Sequence, residues 1–102
     1  MVTELNGMDS IRNGNVLLDF YTNTCGPCRA LHPMLEDISN EYKNLKVCKV
    51  DVTRNPDMSQ QFGVMSVPTL VLLVDSKVCE VSYGNPGREG LKTMVKKHVV
   101  AS

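Results

Sequence analysis

Long apolar runs and net charge are both missing from this 102-residue sequence. No stretch approaches the roughly 20 apolar residues that a membrane-spanning helix needs, so we expect no membrane anchor. Eleven basic residues balance eleven acidic ones, and without a net charge we expect no binding to nucleic acid or anionic lipid surfaces. Residues 1–7 contain neither a basic nor an apolar segment, so we expect no secretory signal there.

Cysteine is sparse as well, with four residues in the chain. That number is too small for a mini-protein held together by disulfides, and we expect one domain over residues 1–102 because each half alone would be too small for a core. With no export signal, the expected compartment is the reducing cytoplasm. A close cysteine pair in that compartment indicates metal binding or redox chemistry rather than a structural disulfide.

The close pair is Cys25 and Cys28, and it lies in the most informative stretch of the sequence. Residues 16–21 are nearly all apolar or β-favouring and predict a strand buried on both faces. Residues 29–38 carry apolar side chains spaced four and then three apart, which predicts a helix with one buried stripe. The thiols therefore lie at a strand-to-helix junction, with Cys25 where the helix begins. Unpaired N–H groups at that end favour an anion, and the anion available here is a thiolate.

The remaining patterns predict an α/β fold. Further strands are expected over 2–5, 45–52, 69–74 and 78–83, with helices near 8–12, from Asn55-Pro56 to Gly63, and from about Arg88 through His98. The order of strands and helices implies a central mixed β-sheet with helices on both faces.

Two interpretations of the cysteine pair are open from the residues alone. A zinc site normally needs a second close pair of ligands, and the other cysteines and histidines are scattered singly along the chain, so we predict no metal. In the redox interpretation Cys25 is exposed and attacks a substrate disulfide. Cys28 is more buried and then attacks Cys25 to release the reduced substrate.

The second redox step needs a proton acceptor for Cys28. Asp19 lies on the buried strand six residues before Cys25, and an acid inside an apolar strand is costly unless it has a purpose. We expect burial to raise the pKa of Asp19. Lys49, on the next strand, is a candidate partner for Asp19; the alternative is a solvated lysine.

A third special feature is Val67-Pro68, where a proline opens an apolar strand. A cis peptide would allow the chain to turn there, but the base rate for cis at such bonds is only about 5–6%. The spacing alone therefore does not decide between cis and trans.

Together these residues resemble the thioredoxin family in order and spacing, from about Val16 to the C-terminus. The motifs that carry the resemblance are Asp19-Phe20, Cys25-Gly26-Pro27-Cys28, Pro33, Lys49, Asn55-Pro56, Val67-Pro68-Thr69-Leu70 and Gly84. The Gly26-Pro27 interior resembles thioredoxins themselves, which implies a protein disulfide reductase. The physics agrees, because no histidine between the cysteines stabilises the thiolate, so the couple reduces other disulfides better.

The resemblance also implies a set of partners and contact residues. It implies client proteins with disulfides, a flavoprotein thioredoxin reductase that recharges the pair, and no tightly bound cofactor; we expect a monomer. Val67 and Pro68 would bind an extended substrate, with Gly26, Pro27 and Gly84 completing the contact surface. Where the family usually carries tryptophans, this chain has Thr24 and Tyr21.

Other residues have plainer expectations. Cys48 and Cys79 are expected to be free thiols packed as small hydrophobes; the alternative is a regulatory or dimer-forming thiol. His32, four residues after Cys28, could tune the site, although a solvated helical histidine is the simpler interpretation. Two alternatives to a general reductase stay open: a related protein with a narrow client set, and a non-catalytic module that uses the fold for interaction.

Overall fold

The computed structural model describes residues 1–7 and 13–100, and in these ranges it contains five strands and three helices. The helix that we predicted near 8–12 lies outside the described residues. In chain order the elements are β1 Val2–Glu4, β2 Asn15–Tyr21, α1 Gly26–Glu41, β3 Leu45–Asp51, α2 Pro56–Gln61, β4 Thr69–Val74, β5 Lys77–Tyr83 and α3 Gly87–His98. No helix in the described ranges is both long enough and apolar enough to cross a membrane.

The five strands form one mixed sheet in the order β1-β3-β2-β4-β5. Strands β1 and β2 both pair with β3 in parallel, whereas β4 runs antiparallel to β2 and β5 runs antiparallel to β4. The predicted mixed sheet is therefore confirmed. Strand β2 lies at its centre, and every residue of β2 after Asn15 is buried.

Alternation along β2 assigns its side chains to two different cores. Leu17 packs with residues of α1 and α3, whereas Leu18 and Phe20 pack with Met58 of α2 on the other face. Helices thus cover both faces of the sheet, as the element order predicted. Because Asp19 follows Leu17 by two residues, it belongs to the face that α1 covers.

Helix α2 begins and ends as its sequence predicts. Pro56 occupies its first turn, and Gly63 follows its end with φ +67. The Gly63 amide donates to the Gln60 carbonyl at 3.0 Å and the Val64 amide donates to the Ser59 carbonyl at 2.9 Å. This pair of bonds is a Schellman motif, which satisfies carbonyls that the helix leaves unpaired.

The two cysteines outside the close pair differ in their surroundings. Cys48 on β3 is buried in the core, as expected. Cys79 is exposed, so the expectation that it packs as a small hydrophobe is wrong. The reason is position: β5 is an edge strand, and its first three residues are all exposed.

Candidate active site

The junction between β2 and α1 positions both thiols. Cys25 is the N-cap of α1, with the extended backbone (φ −94, ψ 113) that this position requires, and its Sγ accepts a hydrogen bond from the Cys28 amide at 3.2 Å. Pro27 lies in the first turn, where a missing N–H costs nothing because no partner is available for it. The helix continues through Pro33 to Glu41. The sequence between the cysteines therefore starts the helix so that the Cys28 amide, which has no partner within the helix, donates to the Cys25 sulfur.

Cys25 and Cys28 form a disulfide with their Cα atoms 5.3 Å apart. Cys25 is partly exposed, whereas Cys28 is buried at 5% exposure. The positive end of the helix dipole favours the thiolate of Cys25 once the disulfide is reduced. One sulfur is therefore open to an incoming disulfide, and the other is shielded behind it.

Asp19 is a nearly inaccessible acid in the middle of the sheet, at 1% exposure. Its Cα is paired with that of Lys49 on β3 and with that of Leu70 on β4. Burial raises the pKa of Asp19 to about 7, with Lys49 opposing the rise and Glu4 adding to it. Burial thus shifts the pKa of Asp19 upward, in the predicted direction. At this value the carboxyl group can take up or release a proton near neutral pH.

Asp19 and Cys28 line the same cavity, which has a volume of about 220 Å³. Lys49, predicted as a partner of Asp19, lines it too. So does His32, for which a solvated helical position was the simpler expectation. The full lining is Asp19, Tyr21, Thr22, Asn23, Cys28, Arg29, His32 and Lys49.

Tyr21 joins this cavity to the edge strand β1. Its hydroxyl lies 2.8 and 2.9 Å from the two carboxylate oxygens of Glu4, to which it donates, and Lys49 Nζ lies 4.4 Å from its ring centre. The pKa of Tyr21 is raised, mainly by burial and secondly by the hydrogen bond to Glu4. Sequence reasoning missed Glu4, because the register of a three-residue edge strand carries no local signal.

The predicted substrate-binding residues form a second group around Pro68. The Val67-Pro68 peptide is cis. The Gly84 amide donates to the Pro68 carbonyl at 2.8 Å, and Gly84 has φ +82, a conformation that favours glycine. Val67 is partly buried, next to the buried Pro68.

Asn85 ties this loop to the cysteine pair. Its side-chain amide lies 3.4 Å from the carbonyl of Pro27, to which it donates, and Gly26, Pro27 and Thr24 are all exposed nearby in sequence. Asn85 was not predicted as a site residue, although its position directly after Gly84 was a usable signal. The loop after β5 and the first turn of α1 are thus linked through one side chain.

A disulfide at the N-terminus of a helix, backed by a buried acid and flanked by a cis proline, defines a thiol–disulfide oxidoreductase. Comparison with known proteins makes the assignment specific. A model of the thioredoxin family matches residues 3–97, and the chain belongs to that family. The chemistry that places it there is the Cys25–Cys28 couple, a redox-active disulfide through which members reduce protein disulfides.

Individual relatives agree with the family match. The thioredoxin of Chlamydia muridarum is 40% identical over 98 residues, covering 96% of each chain. That of Bacillus subtilis is 42% identical over 87 residues, covering 84% of each. Among solved structures, a thioredoxin variant from Halobacterium salinarum has a TM-score of 0.91 at 30% identity, covering 99% of this chain and 93% of the other. Family membership implies disulfide-containing client proteins and a reductase as partners.

Proposed function

We propose that Cys25 is the nucleophile and Cys28 the resolving thiol in the reduction of client disulfides. The Cys25 thiolate attacks one client sulfur, and the other client sulfur leaves as a thiolate that takes up a proton. The Cys28 thiolate then attacks Cys25 Sγ, the bond to the client breaks, and the Cys25–Cys28 disulfide forms. The observation that carries this order is the contrast in exposure: Cys25 is partly exposed, whereas Cys28 is buried. The Cys25 sulfur also accepts a hydrogen bond from the Cys28 amide at 3.2 Å.

In this mechanism Asp19 accepts the proton of Cys28. A thiol has an ordinary pKa of about 8.5, so a nearby base increases the thiolate fraction at neutral pH. Asp19 is suited to this role because its own pKa of about 7 lets it take up the proton and later release it. Lys49 supports it by holding a positive charge beside the carboxylate.

The client contacts are assigned to the residues around the disulfide. Val67 and Pro68 would bind an extended client segment, and Gly84, Gly26, Pro27 and Thr24 would complete the surface. Two hydrogen bonds support this grouping. Gly84 donates to Pro68 and Asn85 donates to Pro27, so the loop after β5 is connected both to the Val67-Pro68 segment and to the first turn of α1.

We further propose that residues 1–102 act as one monomeric domain without a tightly bound cofactor. A flavoprotein thioredoxin reductase would return the disulfide to the dithiol, since each client reduction leaves the protein oxidised. A cytoplasmic location fits a couple that must be kept reduced in order to act.

Reduction of insulin by dithiothreitol tests the proposal. The wild-type protein should accelerate the appearance of turbidity, and Cys25→Ser should be no faster than dithiothreitol alone. Cys79→Ser is the matched control, because Cys79 is exposed but lies outside the site, and it should keep wild-type activity. Equal turbidity from wild type and Cys25→Ser would instead support a non-catalytic interaction module.

A narrow client set is a second candidate, favoured by the exposed Thr24 directly before Cys25. Cys28→Ser should accumulate mixed disulfides with clients, because the second attack is removed. A few trapped proteins would favour the narrow set, and a broad collection would favour a general reductase.

A further inference from the structure

Two buried side-chain polar atoms in the described residues have no hydrogen-bond partner in the protein: Asp19 Oδ1 and His32 Nδ1. They come from different elements, β2 and α1, yet both residues line the cavity of about 220 Å³ that also contains Cys28. Buried polar atoms are nearly always hydrogen-bonded to protein or to ordered water. Two such atoms at one cavity point to a shared partner inside it.

Water fits the cavity by size and by chemistry. A water molecule occupies about 30 Å³ in the liquid and forms two to four hydrogen bonds when it is buried. The cavity has room for more than one, and the residues that line it include a carboxylic acid, a histidine and a lysine: Asp19, His32 and Lys49. Water bridging Asp19 Oδ1 and His32 Nδ1 would satisfy both atoms.

His32 differs from Asp19 in its access to the outside. Asp19 is 1% exposed, whereas His32 is only partly buried although its Nδ1 is enclosed. His32 also lies one helical turn after Cys28, so the two side chains are on the same face of α1. His32 therefore has one ring nitrogen buried at the cavity while the residue as a whole is partly exposed, and imidazole is the side chain that exchanges protons most readily near neutral pH.

We propose that His32 is the proton relay of this site: water in the cavity joins Asp19 Oδ1 to His32 Nδ1, and the proton that Asp19 accepts from Cys28 leaves through the imidazole. This inference rests on the proposed role of Asp19. One proton moves from the Cys28 thiol to the Asp19 carboxylate, then through water to Nδ1, while the opposite ring nitrogen gives a proton to solvent. The departing client thiolate takes up one proton from solvent, so the total is conserved.

The charges around the relay come from three elements. Lys49 faces the cavity from β3 and Arg29 from α1, while Glu4 on β1 acts on Asp19 from beyond Tyr21. Lys49 and Glu4 set the field at Asp19. If Asp19 and His32 are joined by water, their titrations must be coupled, and the coupling must be reciprocal.

Nuclear magnetic resonance titration of the oxidised protein tests the bridge without using activity. The Asp19 side-chain carbon and the His32 ring are followed in wild type, Asp19→Asn, His32→Gln and His98→Gln. We expect Asp19→Asn to lower the midpoint of the His32 titration, and His32→Gln to raise the midpoint of the Asp19 titration. The two changes should be equal and should correspond to a change of about twofold or more in proton affinity. His98→Gln is the matched control and should change neither, because His98 contacts Glu80 at the end of α3. Independent titrations would overturn the bridge.

Chemical rescue tests the relay itself. The release of a chromogenic thiol from a mixed disulfide at Cys25 is measured at neutral pH in weak buffer, in a Cys79→Ser background. We expect His32→Gln to be severalfold slower and to recover as free imidazole is added, whereas His98→Gln should be unaffected. A His32→Gln rate that equals wild type, or that does not respond to imidazole, would overturn the relay. If Asp19→Asn leaves this rate unchanged, the proposed role of Asp19 fails, and the titration experiment still decides the bridge.

Discussion

Lys49 Nζ lies 4.4 Å from the centre of the Tyr21 ring. The Tyr21 hydroxyl donates to Glu4, so one aromatic side chain contacts a cation through its face and an anion through its hydroxyl. These same two charges act on Asp19 in opposite directions, Lys49 lowering its pKa and Glu4 raising it. Tyr21 thus lies in contact with both of the charges that adjust the acid of the redox site.

Removing only the Tyr21 hydroxyl should lower stability. Tyr21→Phe keeps the ring beside Lys49 and loses the bond to Glu4, and a hydrogen bond to a charged group contributes about 1.5–3 kcal/mol. Because Glu4 is exposed, we expect a loss of about 1 kcal/mol in the free energy of unfolding, measured with urea. Tyr83→Phe is the control, since Tyr83 is 71% exposed; an equal effect in both variants would contradict the prediction.

Asp19 should make the folded protein less stable as the pH rises. Its pKa is 3.8 as a model value and about 7 in the folded protein, so between these values the folded state binds the additional proton. The free energy of unfolding therefore falls between about pH 4 and pH 7 and is constant above that range, as far as Asp19 is concerned. The total decrease in the free energy of unfolding that Asp19 causes over this range is on the order of 4 kcal/mol.

Asp19→Asn should remove this dependence. The variant is expected to be more stable than wild type at pH 8 by up to a few kcal/mol, because it carries no buried charge. At pH 4 the advantage should disappear, since Asp19 in wild type is then protonated when folded. Urea unfolding of the oxidised protein at both pH values measures the difference. Parallel stability profiles for the two proteins would show that Asp19 is not buried as an acid with a raised pKa.

The same substitution should slow the second chemical step. At pH 7 an asparagine cannot accept the Cys28 proton, and we expect release of a mixed disulfide to be about tenfold slower or more. The deficit should shrink above about pH 8.5, where an ordinary thiol ionises without help. Stopped-flow release of a chromogenic thiol measures both rates. Asp57→Asn, on the exposed first turn of α2, is the control, and a deficit independent of pH would argue against a proton-acceptor role.

Gly84 and Gly14 offer a matched pair for the client-binding loop. They have φ of +82 and +80, and a Cβ would meet nothing within 4 Å at either position. Alanine at each should therefore cost about 1–2 kcal/mol through backbone strain alone. Only Gly84→Ala should also raise KM for insulin, because Gly84 lies beside Pro68 on the proposed client surface, where the added methyl group or a shift of the strained backbone would disturb client binding. Equal KM values in the two variants would remove Gly84 from the client surface.

Much of the fold was predictable because its signals are local. Strand β2 follows from a run that is apolar except for Asp19, α1 from the spacing of Leu31, Leu35 and Ile38, and the end of α2 from Gly63. The exposure of Cys79 was predicted wrongly, because burial on β5 depends on its position at the sheet edge. The cis state of Val67-Pro68 was left open by the sequence, since cis and trans differ by only about 1 kcal/mol in an isolated chain.

The sequence by itself determined the reacting groups: two thiols at the start of a helix, an acid on a buried strand before them, and a proline opening another strand. Each depends on residues close together in the chain, so periodicity and capping rules were enough. Only the tertiary structure decided which side chains share a cavity with Asp19. His32 comes from α1, Lys49 from β3, and Glu4 acts through Tyr21 from an edge strand, while Asn85 reaches Pro27 across 58 positions. Such neighbours are set by strand register and helix packing, which depend on contacts between distant residues.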